Sequence, residues 1–417
     1  MSSIFEGFLS TPEALELFSE RQIVEAMLRF EASLARAQAS AGLIPEAAAQ
    51  SIIGTCKVEL FDVTKIVRES VRAGSVAIPL VKSLTETVGL FNKDAAKFVH
   101  FGTTSQDVLD TAMALVTRDA LDMIEADIRK TIACLLALAE RHAGDAVLAR
   151  TFMQPASVTS FGLKCVNWAA PLVRSLQRLQ VARGNALSVQ LGGAVGTLAQ
   201  MKKGNKKLGP QVMALMAVDL GLRAAPFSWH TQRDEWVALG CEMALLTGSL
   251  GKMAKDISLM VQFEAGELAE PLEPGRGGAS VMPHKRNPVS CMVALAASAR
   301  VPQRVAALLA AMPQEHERAL GNLQAELAEW PGLLMSVHGS ARALSQALGG
   351  LQVDTQRMQA NIDAVRGELP ADVADEWFNP ALAQHAATLA RAQLGLLTQG
   401  MAMLSKPGKA APALAAS

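Results

Sequence analysis

An all-α protein is predicted, and three observations predict it. Aromatic residues are only 4% of the 417-residue chain and tyrosine is absent, so residues that favour strands are scarce. Ala, Leu, Met and Val dominate the apolar half of the composition, as suits packed helices. Apolar residues also recur at three- and four-residue spacing through the middle of the chain. A chain of this length buries a large core and divides into two or three domains. The expected division is an N-terminal helical domain at 1–110, a central bundle of long helices at 111–350, and a short C-terminal helical domain with a disordered tail at 351–417.

The elements follow in order. From Glu13 to Gly42, residues Leu15, Phe18, Ile23, Met27, Phe30 and Leu34 mark short helices joined by turns. Leu121, Ile124, Ile128, Leu135 and Leu138 trace one face of a first long helix. Trp236, Leu239, Met243, Leu246, Leu250, Met253, Ile257 and Met260 trace a stronger one, the seam of a helix about 40 Å long packed nearly parallel to its neighbours. A methionine stripe of this kind is core packing far more often than a ligand surface. Pro288 to about Met312 reads as another long helix, rich in Ala and Val. Near Gln352 a third region begins, with Asp354 as a helix cap before Met358 and Ile362. The last residues, from Lys406-Pro407-Gly408-Lys409, read as a disordered tail. Small and apolar residues lie on several faces of the long helices, so self-association is expected.

Lys plus Arg and Asp plus Glu are both 39, so no global field points to nucleic acid or an anionic membrane. Any basic site must be local. Five scattered cysteines, odd in number and without a C-x-x-C pair, read as reduced thiols in the cytoplasm. The N-terminal residues lack a basic region followed by an apolar run, and no uncharged stretch approaches a membrane span. Metal-ligand spacing is missing too.

The run GRGGASVMPHKRNP, Gly275 to Pro288, concentrates the chemistry. Gly275, Gly277 and Gly278 permit motion and close approach to a ligand. His284, Lys285 and Arg286 add cations, and Asn287 before Pro288 reads as a cap at a helix start, where free N–H groups attract an anion. A carboxylate substrate is the expectation. An isolated run of this composition is more often a solvated surface turn.

It is not isolated, because it closely resembles the G-S-S-x-M-P-x-K-x-N-P signature of the fumarase/aspartase/argininosuccinate lyase superfamily. In that superfamily the loop closes over a dicarboxylate, its first Ser is the usual carbon-acid base, and its Lys and Asn hold a carboxylate. Lys285 and Asn287 match, Ser280 matches the second Ser, and Ala279 replaces the first. Five more segments carry the resemblance. His100-Phe101-Gly102-Thr103-Thr104-Ser105-Gln106-Asp107 resembles H-x-G-x-T-S-x-D, although alone it is an ordinary helix cap. Arg150-Thr151-Phe152-Met153-Gln154 resembles R-T-H-x-Q, with Phe152 in place of the histidine. Trp229 to Asp234, which holds His230 and Arg233, and Met312 to Arg318, which holds His316, resemble the carboxymuconate cycloisomerase subgroup; as lone strings both suit solvated helix ends. Ala77 to Lys82 and His284 match that subgroup as well.

The resemblance covers about residues 1 to 365 and implies an all-α, three-domain subunit, a homotetramer with sites shared between subunits, no metal or organic cofactor, and a longer C-terminal helical domain than this chain has. It also implies a reaction from aromatic (protocatechuate) catabolism. In this cycloisomerisation a substrate carboxylate adds to a carbon–carbon double bond and carbon receives a proton. On that basis Lys285 and Asn287 suit the enolate-side carboxylate. Thr104, Ser105, Arg150, Thr151 and Gln154 suit a second anionic group, and Arg233 and Arg318 the rest. The proton donor stays open among Ser280, His100, His284, His230 and His316. Two other readings stand beside it: a superfamily lyase that releases fumarate or a related acid, against which Ala279 and Phe152 speak, and an inactive scaffold, which rests on Ala279, Phe152 and the short C-terminal region. Met292, where adenylosuccinate lyases carry Glu, speaks against that lyase.

Overall fold

The computed structural model describes residues 4–278 and 280–404. Ala279 and the expected C-terminal tail therefore lie outside the described residues. Helices dominate, joined by four two-stranded sheets. Near the N-terminus, Pro12–Leu17 leads into a long helix α1 (Glu20–Ser40), with Thr11 and Ser19 hydroxyls accepting N–H bonds at the two helix starts. Two shorter helices, Glu46–Thr55 and Val63–Ala73, pack on it and a third, Ala77–Phe91, packs on those two; together they supply Ile52, Ile66, Leu80 and Leu84 to the core.

Five long helices form the centre: α2 (Ser105–Arg141), α3 (Phe161–Ala186), α4 (Asp234–Val261), α5 (Val289–Ala310) and α6 (Asn322–Gly349). Each packs on the next and α6 returns to α2, so the five close into a ring. Every apolar residue of the expected Trp236–Met260 seam is buried on α4. So are Leu121, Ile124, Ile128, Leu135 and Leu138 on α2. Tryptophans tie three of the helices together. Trp236 of α4 stacks on Trp330 of α6 at 4.2 Å, and the Trp330 indole donates to Thr117 Oγ1 of α2 at 2.8 Å. At Gly251 a Cβ would come within 2.5 Å of Ser298, so α4 and α5 approach at a distance only glycine allows.

Three of these helices, α3, α5 and α6, carry interior prolines, Pro171, Pro302 and Pro331. Between α2 and α3 lies a hairpin of β1 (Ala146–Thr151) and β2 (Gln154–Ser160). Beyond the bundle, α7 (Thr355–Gly367) starts as expected, with the Asp354 carboxylate accepting from the Arg357 N–H and with Met358 and Ile362 buried. A last helix, α8 (Leu382–Leu404), packs on α3 and the hairpin. Leu148, Val158, Ile362, Phe378 and Ala383 make a small second core there.

Among the described residues one helix, α5, is long and apolar enough by length and hydropathy to cross a membrane. It packs between α4 and α6, and its Arg300 and Arg304 pair with Glu6.

Candidate active site

The site residues expected from sequence separate into two groups at opposite ends of the bundle. Because α2 and α6 run side by side in the same direction, Arg318 meets Thr104, Trp330 meets Thr117 and Arg342 meets Asp127. The glycine-rich loop joins the far end, where Arg276 donates to Gln346. The 24 residue steps from Asn322 to Gln346 correspond to about 36 Å of helix. His100, Thr104, Ser105, His230, Arg233, His316 and Arg318 lie at one end; Arg150, Thr151, Gln154, Ser280, His284, Lys285 and Asn287 lie at the other. A single chain does not bring them together.

The first end is built around a buried carboxylate. Asp107, in the first turn of α2, accepts from Thr103 Oγ1 (2.8 Å), the Thr104 N–H (3.1 Å) and the N–H groups of Gly192 and Gly193 (both 2.9 Å). His230 Nε2 pairs with it at 2.7 Å. The helix start and the Gly192-Gly193 loop are thereby locked together, with no space for a side chain at Gly192, where a Cβ would lie 2.7 Å from the His230 ring. Arg318 bridges the same corner, donating to Thr104 Oγ1 (3.1 Å), Gln106 Oε1 (3.3 Å) and the Ala194 carbonyl (3.2 Å). Thr104 and Ser105 stay partly open beside it. His316 is exposed with a left-handed φ of 45°, and its carbonyl accepts from Thr231.

Two of the expected ligand-binding residues at this end are committed to the protein. His230 is 3% exposed, and its other ring nitrogen meets Ser228 Oγ at 3.2 Å. Arg233 is buried with all five guanidinium N–H groups in use, toward Asp110, Glu326 and the Trp229 carbonyl, and it lies over the Trp229 ring at 4.7 Å. Burial pushes the Glu326 carboxyl up, against the pull of Arg233. The expectation that Arg233 meets substrate directly is at odds with this geometry, since no donor is left to offer.

His100 differs from both. Its φ of 58° turns it out of the preceding helical turn, and Nδ1 meets Glu31 Oε1 of α1 at 2.6 Å. Burial alone would depress the imidazole, but the Glu31 charge outweighs it and holds His100 above the ordinary histidine range.

At the second end, Arg150 forms a two-pronged pair with Glu267, at 2.7 and 3.0 Å, and Asn361 donates to the same carboxylate at 2.9 Å. The hairpin turn beyond it is a tight reversal with Phe152 and Met153 both at positive φ, and Phe152 is fully exposed. Thr151 and Gln154 flank it in the open. The glycine-rich loop is exposed from Ser280 to Arg286, with His284 and Lys285 on its surface. Gly277, at φ 73°, sits where a Cβ would be 2.8 Å from the Asn287 carbonyl, and the Asn287 N–H closes the loop on Gly277.

One expectation is corrected here. Asn287 does not cap α5; the helix begins at Val289, and the Glu270 carboxylate accepts the N–H groups of Ser290 and Cys291 at 3.1 and 3.0 Å. A built-in anion thus occupies the helix start, and the positive charge of the loop rests on its side chains. Glu31, Asp110, Glu267, Glu270 and Glu326, all missed in the sequence, have one thing in common: each is a carboxylate distant in sequence from the cation or N–H it serves.

The lyase family profile matches residues 9–302. The 3-carboxy-cis,cis-muconate cycloisomerase of Pseudomonas putida is 42% identical over 371 residues, covering 89% of this chain and 87% of that one. The nitrosuccinate lyase of Streptomyces davaonensis is 37% identical over 380 residues, 90% of this chain and 80% of the other. The crystal structure of the 3-carboxy-cis,cis-muconate lactonizing enzyme from Pseudomonas putida superposes with a TM-score of 0.87 at 36% identity, over 97% of this chain and 100% of that one. With the ring of long helices and the signature loop already in place, these likenesses establish that the chain belongs to the lyase family, within the fumarase/aspartase superfamily.

Proposed function

We propose that the chain interconverts 3-carboxy-cis,cis-muconate and carboxymuconolactone, as a homotetramer whose sites are shared between chains. The observation that carries the reading is the separation of two sets of carboxylate-binding groups to opposite ends of one bundle, in a chain whose relatives include several cycloisomerases of that name. Neither set is a complete site for a tricarboxylate. Neighbouring chains packed through the bundle would bring the hairpin and glycine-rich loop of some to the Thr104–Arg318 corner of another. Apolar side chains left open on the bundle, Leu245, Met292 and Leu309, suit such packing, with each about half exposed.

In this reading Lys285 and Asn287 hold the carboxylate that takes up negative charge as the lactone oxygen bonds to carbon. Thr104, Ser105, Thr151, Gln154 and Arg318 hold the other carboxylates. Arg150 and Arg233 work through what they hold in place: Arg150 fixes the hairpin through Glu267, and Arg233 fixes the helix start through Asp110. Among the donor candidates, His100 has the carboxylate partner and the partial exposure that proton delivery needs. His230 is buried with both nitrogens engaged. Ser280, His284 and His316 are exposed with no carboxylate fixing their hydroxyl or ring among the described residues.

A second reading, elimination from a substituted succinate, is favoured by the nitrosuccinate lyase relative. Lactone formation needs an acid where elimination needs a base, so the missing Ser and His count for the first. The test offers the purified chain 3-carboxy-cis,cis-muconate, adenylosuccinate and argininosuccinate. Loss of the muconate ultraviolet band with lactone as product is the expected result. Turnover only after Ala279→Ser with Phe152→His would mean a disabled lyase.

A further inference from the structure

Glu31 is an anomaly of the N-terminal domain. It is 1% exposed on α1, its Oε1 meets His100 Nδ1 at 2.6 Å, and its Oε2 has no hydrogen-bond partner. Among the described residues His100 is the sole group that pairs with this carboxylate. A carboxylate so deeply buried is costly unless a positive charge faces it. The other charged groups nearby do not supply one in contact. Asp107, from the start of α2, adds a second negative charge toward His100. Arg36 of α1 pairs with Asp219, and the Cys56 thiol beside Glu31 is pushed up by burial and by the Glu31 charge. Arg318 directs three of its five N–H donors to Thr104, Gln106 and Ala194, and none to Glu31.

We propose that Glu31 is a positioning residue for His100: its buried carboxylate fixes the proton on Nδ1 and supplies the counter-charge for an imidazolium whose Nε2 delivers the proton in the reaction. The inference rests on the cycloisomerase reading and deepens it. In the lactone-forming step a substrate carboxylate oxygen bonds to one alkene carbon, and the π electron pair shifts toward the neighbouring carbon and its carboxylate. The Nε2–H proton then bonds to that carbon. His100 is left neutral, still donating Nδ1–H to Glu31, and takes a new proton at Nε2 from water. A carboxylate behind the ring favours the imidazolium, the form in which His100 acts as an acid. This is the polarity lactone formation requires. Geometry alone sets His100 apart from His230, which faces Asp107 but has no ring nitrogen free.

The test combines a substrate-free and a substrate-dependent measurement on the full-length protein. Isotope-labelled histidine, with the His100 signal assigned by its loss in His100→Asn, gives the imidazole titration by NMR in the parent, Glu31→Gln and Glu31→Asp. The expected result is a His100 titration above the ordinary histidine range in the parent, displaced to lower pH in Glu31→Gln and partly restored in Glu31→Asp. The alkaline limb of kcat/KM should move with it, and kcat on the alkaline side of neutrality should fall on the order of tenfold in Glu31→Gln with little change in KM. A parent His100 that titrates in or below the ordinary range overturns the pairing without any variant, so the proposal survives no folding failure of Glu31→Gln by default. A displaced titration with an unmoved rate profile overturns the role of His100 as acid. An inert parent sinks the cycloisomerase reading instead, while the NMR titration still decides whether Glu31 governs the His100 proton.

Discussion

Replacing Arg233 by Met separates its structural role from direct substrate binding. The Arg233 side chain is 1% exposed, and its partners Asp110 and Glu326 are 1% and 2% exposed. Loss of the guanidinium leaves the two carboxylates unequal. Asp110 keeps amide donors from Gln106 and Gln190, at 3.1 and 3.3 Å, whereas every hydrogen bond to the Glu326 carboxylate comes from Arg233. Removing one partner of a buried charge network costs about 3–5 kcal/mol. Protonation of Glu326, already favoured by burial, places the loss toward the lower figure. Adding Glu326→Gln to Arg233→Met should recover a coupling energy of about 1–3 kcal/mol. Urea midpoints at fixed protein concentration, followed by tryptophan fluorescence, report both values because Trp229, Trp236 and Trp330 surround the network. If Arg233→Met stayed within about 1 kcal/mol of the parent and lost more than a hundredfold in kcat/KM, Arg233 would bind substrate and the structural account would be wrong.

Three further outcomes follow. Lys285→Met, on an exposed loop, should leave the urea midpoint unchanged and lower kcat on the order of a hundredfold or more; nearly full kcat would remove Lys285 from the chemistry. Leu250→Glu places a charge at a fully buried position of α4 and should dissociate or unfold the assembly in sedimentation, whereas an intact active oligomer would show that the seam does not carry the bundle. Because His100 is raised in the folded protein, the stability it contributes is fully present below the ordinary imidazole range. It is lost as pH rises through the raised value. The midpoint difference between parent and His100→Asn should therefore shrink toward alkaline pH, and a difference that grows there would contradict the Glu31 pairing.

Periodicity made the bundle legible where nothing interrupted it, and α4 and α2 bury the very residues whose spacing announced them. The helices α3 and α6 went unread in sequence; each holds an interior proline, Pro171 or Pro331, although Pro302 did not stop α5 from being read as one helix. The hairpin escaped notice because its turn, Phe152-Met153, lacks the Gly or Asn that positive φ usually calls for. The site was half legible. Motif residues could be named, but the carboxylates that fix them could not, because Glu31 is 69 positions from His100 and Glu326 is 93 from Arg233. The Gly192-Gly193 pair was the one available signal for the loop that clasps Asp107.

Subunit complementation tests the shared site most directly. Lys285→Met and Arg318→Met each disable a residue from a different end of the bundle, and both proteins alone should have little activity toward 3-carboxy-cis,cis-muconate. Mixed, dissociated and reassembled, the two should regain activity, because some sites in the hybrid receive an intact loop from one chain and an intact helix-start corner from another. Recovery to a sizeable fraction of the parent rate is the predicted result. Hybrids shown by mass spectrometry to have formed, yet no more active than the separate variants, would contradict a site built from opposite ends of different chains.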